Sequence, residues 1–235
     1  MYTYRSGIGQ VDRTAGGFAA GKNYLILAPP GTIARELMYA LAKPLPGEYA
    51  LVISTNDRAS EVIDAFKRAG ADKRFVGTID AITKSSSPNV IDTNRLMFVA
   101  NPSDLTGIGI KFSKMIELIF DGSFSGAENE LFPPPIRFCV NSISTFLMYR
   151  KLDVLYQFLH IIASKVKKSD GVGFYLINSG SFDDKTISMI EQLMDGVIEV
   201  KTEGDAGFLR MRGIEGGNPD WLRFSLQKGT IVAGP

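Results

Sequence analysis

The strongest constraint on this chain is an alternation. Short, almost uninterrupted apolar runs take turns with longer segments whose apolar residues recur at helical spacing. Tyr24-Leu25-Ile26-Leu27 reads as a buried strand, and Ile33, Leu37, Ala40 and Leu41 then share one helical face. Tyr49 to Ser54 is a second strand, and Val62, Ala65, Phe66 and Ala69 mark a helix that stops at Gly70. Arg95 to Val99 is a third strand candidate, followed by a long amphipathic helix through Leu105, Ile108, Phe112, Met115, Ile116 and Ile119. Ile136 to Val140, entered through Pro133-Pro134-Pro135, is a fourth strand. Leu152, Leu155, Leu159, Ile162 and Val166 form the clearest helical stripe. Val172 to Ile177 is a fifth strand, and Ile187, Ile190 and Leu193 face the core from a further helix. Strands that are apolar along their whole length must be covered on both faces. The pattern therefore predicts an α/β chain with a mostly parallel sheet between two helical layers. From Gly196 the pattern changes: Gly196–Val200, Phe208–Met211 and Leu222–Leu226 read as short antiparallel strands. Gly204, Gly207, Gly216, Gly217, Asn218 and Pro219 supply the turns between them.

With 235 residues, no internal repeat and no low-complexity linker, one domain spanning 1–235 is expected. The chain carries 26 basic and 25 acidic residues, a formal net charge of +1. Such a balance gives no general case for a nucleic-acid partner, although a local basic patch remains compatible with it. Cys139 is the only cysteine, so no internal disulfide can form and a reducing, cytoplasmic setting is expected. No apolar run reaches the roughly 18 residues that span a bilayer, so no membrane partner is expected. The segment from Met1 to Gly17 is polar and glycine-bearing, unlike a signal peptide.

The loop after the first strand is the candidate site. Ala28-Pro29-Pro30-Gly31-Thr32-Ile33-Ala34-Arg35 joins that strand to the first helix, where nucleotide-binding α/β domains cradle phosphate. Its Pro-Pro-Gly-Thr core resembles the Walker A loop of RecA-type ATPases. Ala28 and Ile33 stand at the two glycine positions, Ala34 at the lysine and Arg35 at the magnesium-binding Ser/Thr. A charge-assisted hydrogen bond contributes roughly 1.5–3 kcal/mol, so losing the lysine alone weakens ATP about ten- to a hundredfold. Arg35 has no oxygen for magnesium, Ile33 disfavours positive φ, and Glu36 adds negative charge beside the loop. Two readings stay open here: a tight strand-to-helix turn without ligand, or an anion held by Arg35 in place of the missing cations.

Other segments resemble the archaeal KaiC-like family. Asp12-Arg13-Thr14-Ala15-Gly16-Gly17-Phe18-Ala19-Ala20-Gly21 is similar to its "LD-x-x-x-GG-x-x-x-G" entry, and Asn101 to Ile110 resembles a loop and helix start of its archaeal members. Asn141-Ser142-Ile143-Ser144-Thr145-Phe146-Leu147 resembles the "DSLSTLL" that carries Walker B. Asp195 to Val200, Arg210-Met211-Arg212-Gly213 and Trp221 to Phe224 resemble its later elements. The resemblance runs over nearly the whole chain and implies a three-layer α/β/α RecA-like P-loop NTPase fold with C-terminal antiparallel strands. It also implies an archaeal, cytoplasmic protein that assembles with itself or with a related ATPase. The departures gather at one place. Asn141 stands at the Walker B aspartate, and Ser54-Thr55-Asn56-Asp57-Arg58 stands where the family has its catalytic glutamates. Asp57 is the one candidate base, and it would equally serve to cap the following helix.

Three functions follow. The first is a pseudo-ATPase that regulates or assembles through protein binding. The second is a weak ATP binder or slow ATPase with a rearranged site built on Arg35 and Asp57. The third is a DNA-recombination-mediator type of partner, against which the charge balance counts. Phosphoryl transfer needs charge neutralisation and a positioned nucleophile, so ATP with magnesium is disfavoured as cofactor, and no metal site is assigned. His160 has no Cys/His cluster around it and reads as a structural or surface residue. Cys139 reads as a small core residue. Lys165, Lys167 and Lys168 suit a helix C-terminus. Phe120, Phe124, Leu131 and Phe132 flank a loop that either meets a partner or packs on its own domain. Trp221 and Phe224 read as core packing ahead of an oligomer contact.

Overall fold

The computed structural model describes residues 2–126, 133–204, 206–214, 216–217, 220–227 and 230–233. The chain opens with β1 (Thr3–Tyr4), α1 (Gly9–Ala15) and β2 (Phe18–Ala19), then β3 (Lys22–Ala28) and α2 (Ala34–Leu41). Next come β4 (Tyr49–Ser54), α3 (Ala59–Arg68), β5 (Val76–Asp80), α4 (Thr83–Ser86), β6 (Leu96–Phe98) and α5 (Leu105–Phe120). The second half runs β7 (Ile136–Asn141), α6 (Ile143–Tyr149), α7 (Leu152–Lys168), β8 (Val172–Asn178), α8 (Asp184–Glu191) and β9 (Gly196–Glu203). It closes with β10 (Ala206–Arg212), β11 (Leu222–Gln227) and β12 (Thr230–Ala233).

Among the described residues one sheet has ten strands in the order β12-β11-β10-β9-β3-β8-β7-β4-β5-β6. From β9 to β6 every neighbouring pair is parallel, and β10, β11 and β12 add on antiparallel. Successive residues of one strand serve two separate cores. Tyr24, Ile26 and Ala28 of β3 join Ala50, Val52 and Cys139 under α1, α2 and α3. Leu25 joins Leu51, Ile53, Phe138 and Tyr175 under α5, α6, α7 and α8. This division is why the strands read as unbroken apolar runs. It gives the three-layer α/β/α architecture that the sequence predicts.

Several elements depart from the sequence expectation. Gly196–Val200 does not enter an antiparallel hairpin alone: β9 pairs parallel with β3 on one side and antiparallel with β10 on the other. The strand β5 is wholly buried, yet Gly77, Thr78 and Asp80 break its apolar run. Asp80 accepts hydrogen bonds from the backbone N–H of Ala59, Ile82 and Thr83, so this buried carboxylate holds the starts of two helices. The N-terminal segment is also structured. Gly16 ends α1 at φ +68°, and a Cβ on Gly17 would stand 2.8 Å from the Tyr4 carbonyl oxygen, which explains the paired glycines. Phe124 and Phe224 are core residues, but Trp221, expected to pack in the core, is half-buried under Lys201 and Arg210 instead; Leu131, Phe132, Asn218 and Pro219 lie outside the described residues.

One charge sits where the sequence suggested only apolar packing. Arg137 of β7 is fully buried and is paired with Glu48, itself 1% exposed. Its Nε donates to Glu48 Oε2 at 2.6 Å, its Nη1 to the Leu41 carbonyl at 2.8 Å and its Nη2 to the Arg5 carbonyl at 2.7 Å. Glu48 also accepts from the Leu45 N–H and the Tyr2 hydroxyl. The pair thus ties β7, the turn before β4, the end of α2 and the N-terminal segment together. Glu48→Ala leaves a buried guanidinium without its counter-ion and is expected to cost about 3–5 kcal/mol. Replacing both residues with methionine is expected to recover most of that loss. Urea midpoints of the two variants check both outcomes.

Candidate functional site

The carboxyl ends of β3, β4, β7 and β8 lie side by side, with Ser54 opposite Asn141 and Ala28 opposite Asn178. In open parallel sheets ligands bind in the crevice beyond these ends. The sequence-selected residues Arg35, Asp57 and Asn141 meet there, although 22 and 84 positions separate Asp57 from the other two.

Residues 29–33 form the turn from β3 into α2. Gly31 takes φ +78° with open space where a Cβ would be. The Thr32 hydroxyl donates back to the Pro29 carbonyl at 3.0 Å. Ile33 precedes the helix at φ −80°, an ordinary value for a β-branched residue, and its side chain packs against the core. A Cβ on Gly207 would stand 2.9 Å from Ile33 Cδ1 and 2.7 Å from Phe224 Cζ. The turn is therefore seated on β10 through Ile33. Ala34 is buried, leaving Arg35 as the cation of this loop.

Arg35 is engaged. Its Nη1 donates to Asp57 Oδ1 at 3.0 Å and its Nη2 to Glu36 Oε1 at 2.9 Å. The hydrogen bond that it donates to Glu36, with the Asp57 charge behind it, holds the guanidinium pKa above its usual value. Asp57 is buried, and its Oδ2 accepts from the Tyr39 hydroxyl at 2.7 Å and from Asn141 Nδ2 at 2.9 Å. Asn141 Nδ2 also lies 2.9 Å from the Tyr39 oxygen. Burial, reinforced by Cys139 and Asp57, keeps the Tyr39 phenol pKa far above its usual value, so it remains a donor. Backbone geometry locks the carboxylate further: the Ser54 hydroxyl donates to the Asp57 carbonyl at 2.5 Å and accepts from the Asp57 N–H at 3.1 Å. The Asn141–Ser142 peptide is cis. Beside it, Asn56 donates to Ser142 Oγ at 3.1 Å and accepts from the Thr145 hydroxyl.

Asp57 does not cap α3. The Glu61 carboxylate takes the Arg58 N–H and Asp80 takes the Ala59 N–H. A cleft of about 380 Å³ opens between α2 and α3 beside this network, and Glu36, Glu61 and Asp64 stand in its wall with Arg68. Those carboxylates oppose a phosphate. Tyr39 was missed by the sequence reading; its position four residues after Arg35, on the same helical face, was the available signal. His160 is exposed and Cys139 is buried with its thiol pKa pushed up by burial. Among the described residues no group of three or more His, Cys, Asp or Glu is placed to hold a metal ion. None of their helices is long and apolar enough to cross a membrane.

Sheet order and site position define a RecA-like, P-loop type α/β architecture. The chain belongs to the family of unknown function DUF7504, whose model matches residues 21–200. Its fold is similar to that of the KaiC-like protein PH0186 from the hyperthermophilic archaeon Pyrococcus horikoshii OT3. That likeness has a TM-score of 0.67 at 13% identity and covers 100% of this chain and 99% of that one. Identity this low speaks for the fold alone. No curated protein matches the sequence.

Asp57→Ala removes the shared acceptor of two buried donors, Tyr39 Oη and Asn141 Nδ2. It is expected to destabilise the protein by about 1–3 kcal/mol in chemical denaturation. Unchanged or increased stability would mark Asp57 as a strained functional group and not a structural one.

Proposed function

We propose that the chain is a non-catalytic homologue of KaiC-like ATPases, a pseudo-ATPase that regulates or assembles through protein binding. The observation that carries this reading is the neutralised Arg35. A phosphate-binding loop needs unpaired positive charge and free amides. Here the one cation of the loop is held by Asp57 and Glu36, so the two carboxylates outweigh it. Three further features support the reading. No lysine lies between residues 29 and 35. The polar group at the end of β7 is the amide of Asn141, engaged with Tyr39 and Asp57. The candidate base Asp57 has its oxygens occupied by three donors, which leaves it poorly placed to activate water.

A protein that keeps this architecture without a working site acts through its surfaces. Its partner is a second copy or a related ATPase, by analogy of fold, in the cytoplasm of an archaeal cell. Titration of magnesium-ATP by calorimetry is the direct test. No saturable heat is expected up to about 1 mM ligand, and no phosphate release above the rate of buffer. Binding at micromolar concentration, lost in Arg35→Ala, would replace this reading with that of a nucleotide-binding protein.

A further inference from the structure

Three neighbouring helices, α5, α6 and α7, cover one face of the sheet over a shared core. Their outer side is unlike the rest of the surface. Of the eight large apolar side chains left exposed among the described residues, five stand on these helices: Ile110, Met148, Tyr149, Val154 and Ile161. Single exposed apolar residues need no explanation, but their gathering on one side does. On α7 the spacing puts Val154, Ile161, Lys165 and Lys168 in one stripe, and on α5 it puts Ile110, Lys114 and Glu117 in another. The two stripes run side by side. A groove of about 260 Å³ between the helices has Lys165 and Lys168 on one wall and Ile116, Glu117 and Phe120 on the other. The link between α6 and α7 is tied to the same side, where Arg150 Nε donates to the Ser103 carbonyl at 2.9 Å just before α5.

We infer that this side is a peripheral docking face for an anionic lipid bilayer. Charge gives the sign of the partner. From Leu105 to Asp121 and from Ile143 to Lys168 the chain carries seven cations against three carboxylates, Glu117, Asp121 and Asp153. Among the described residues Lys111, with Asp92, is the only one of those cations in an ion pair. The dipole of α7 offers about half a negative charge at its C-terminus. Lys165, Lys167 and Lys168 exceed that, and Lys114 lies in mid-helix where no dipole asks for it. Arrangement gives the class of the partner. Protein interfaces sort into an apolar centre and a polar rim. Here each apolar tip has a cation within about one helical turn: Arg150 and Lys151 serve Met148, Tyr149 and Val154, Lys114 serves Ile110, and Lys165 serves Ile161. Such interleaving suits a lipid interface, where the apolar tip enters the acyl boundary and the lysine stem lies beside it with its ammonium among the phosphates. Met148 is 75% exposed and Ile110 64%, so these tips stand out instead of lining a recess, and a soft, flat partner fits them. Contact of this kind needs no spanning segment, so the short apolar runs of the chain are compatible with it. None of these residues belongs to the cluster around Asp57, so the inference goes beyond the pseudo-ATPase reading and stands or falls separately from it.

Co-sedimentation of the full chain with lipid vesicles is the test. Vesicles of phosphatidylcholine with about one-third phosphatidylglycerol are compared with vesicles of phosphatidylcholine alone. The chain is expected to pellet with the anionic vesicles and to stay in solution with the neutral ones, at lipid up to about 1 mM. Raising salt from about 0.1 to 0.5 M is expected to release most of the bound chain. Lys165→Gln with Lys168→Gln is expected to weaken binding about fivefold for each cation, roughly twenty-five-fold together. Ile161→Ser is expected to weaken it about five- to tenfold. All three positions lie outside the buried core, and their urea midpoints are expected to match that of the unaltered chain. Failure to pellet with the anionic vesicles, or equal pelleting with the neutral ones, would overturn the inference. So would binding that the lysine pair weakens and Ile161→Ser leaves unchanged, in favour of an acidic protein surface.

Discussion

A parallel sheet closed on both faces leaves almost no tolerance for a polar side chain between its ends. The strands β3, β4, β7 and β8 obey this by sending alternate residues to two unrelated cores. Polar chemistry is then pushed to the strand ends, or into the sheet with partners supplied from elsewhere; among the described residues the buried Thr78 hydroxyl of β5 goes without one. Arg137 is the clearest case of the second kind, satisfied by Glu48 and two backbone carbonyls. Asp80, at the carboxyl end of β5, takes backbone donors from the starts of two helices. The cluster of Arg35, Tyr39, Asp57 and Asn141 is of the first kind. It occupies the crevice that the sheet creates and fills it with internal hydrogen bonds.

Much of this was legible in the sequence. Strand β4 was read to its residue limits, and the stripe through Leu152 and Val166 becomes α7, because a continuous apolar run and a long helical period are both strong signals. The elements that escaped are those where tertiary contacts replace local pattern. Gly77 sits in β5 because a side chain there would strike Phe124 and Leu51. The two-residue strands β1 and β2 exist only because they pair with each other. Arg137 was hidden inside an apparently apolar strand because its partner Glu48 lies 89 residues away in sequence.

The site was legible in composition and not in connection. The apolar runs marked the strands, and the family resemblance picked out Arg35, Asp57 and Asn141 at their carboxyl ends. No local rule could say that Arg35 turns toward Asp57, or that Tyr39 completes the set, since these are choices among long-range partners. The same holds for the C-terminal surface. Lys201, Phe208, Arg210 and Trp221 fall in three separate segments, and only the strand register of β9, β10 and β11 makes them neighbours.

Ile33 gives the seating of the first turn a mechanical meaning. Its tip rests where Gly207 of β10 leaves room beside Phe224, while the next residue of that strand, Phe208, points out toward Lys201. A single layer of backbone therefore separates the socket of the loop from the aromatic surface. Any load that tilts this hairpin reaches the first turn of α2 directly, without a relay of side chains between them.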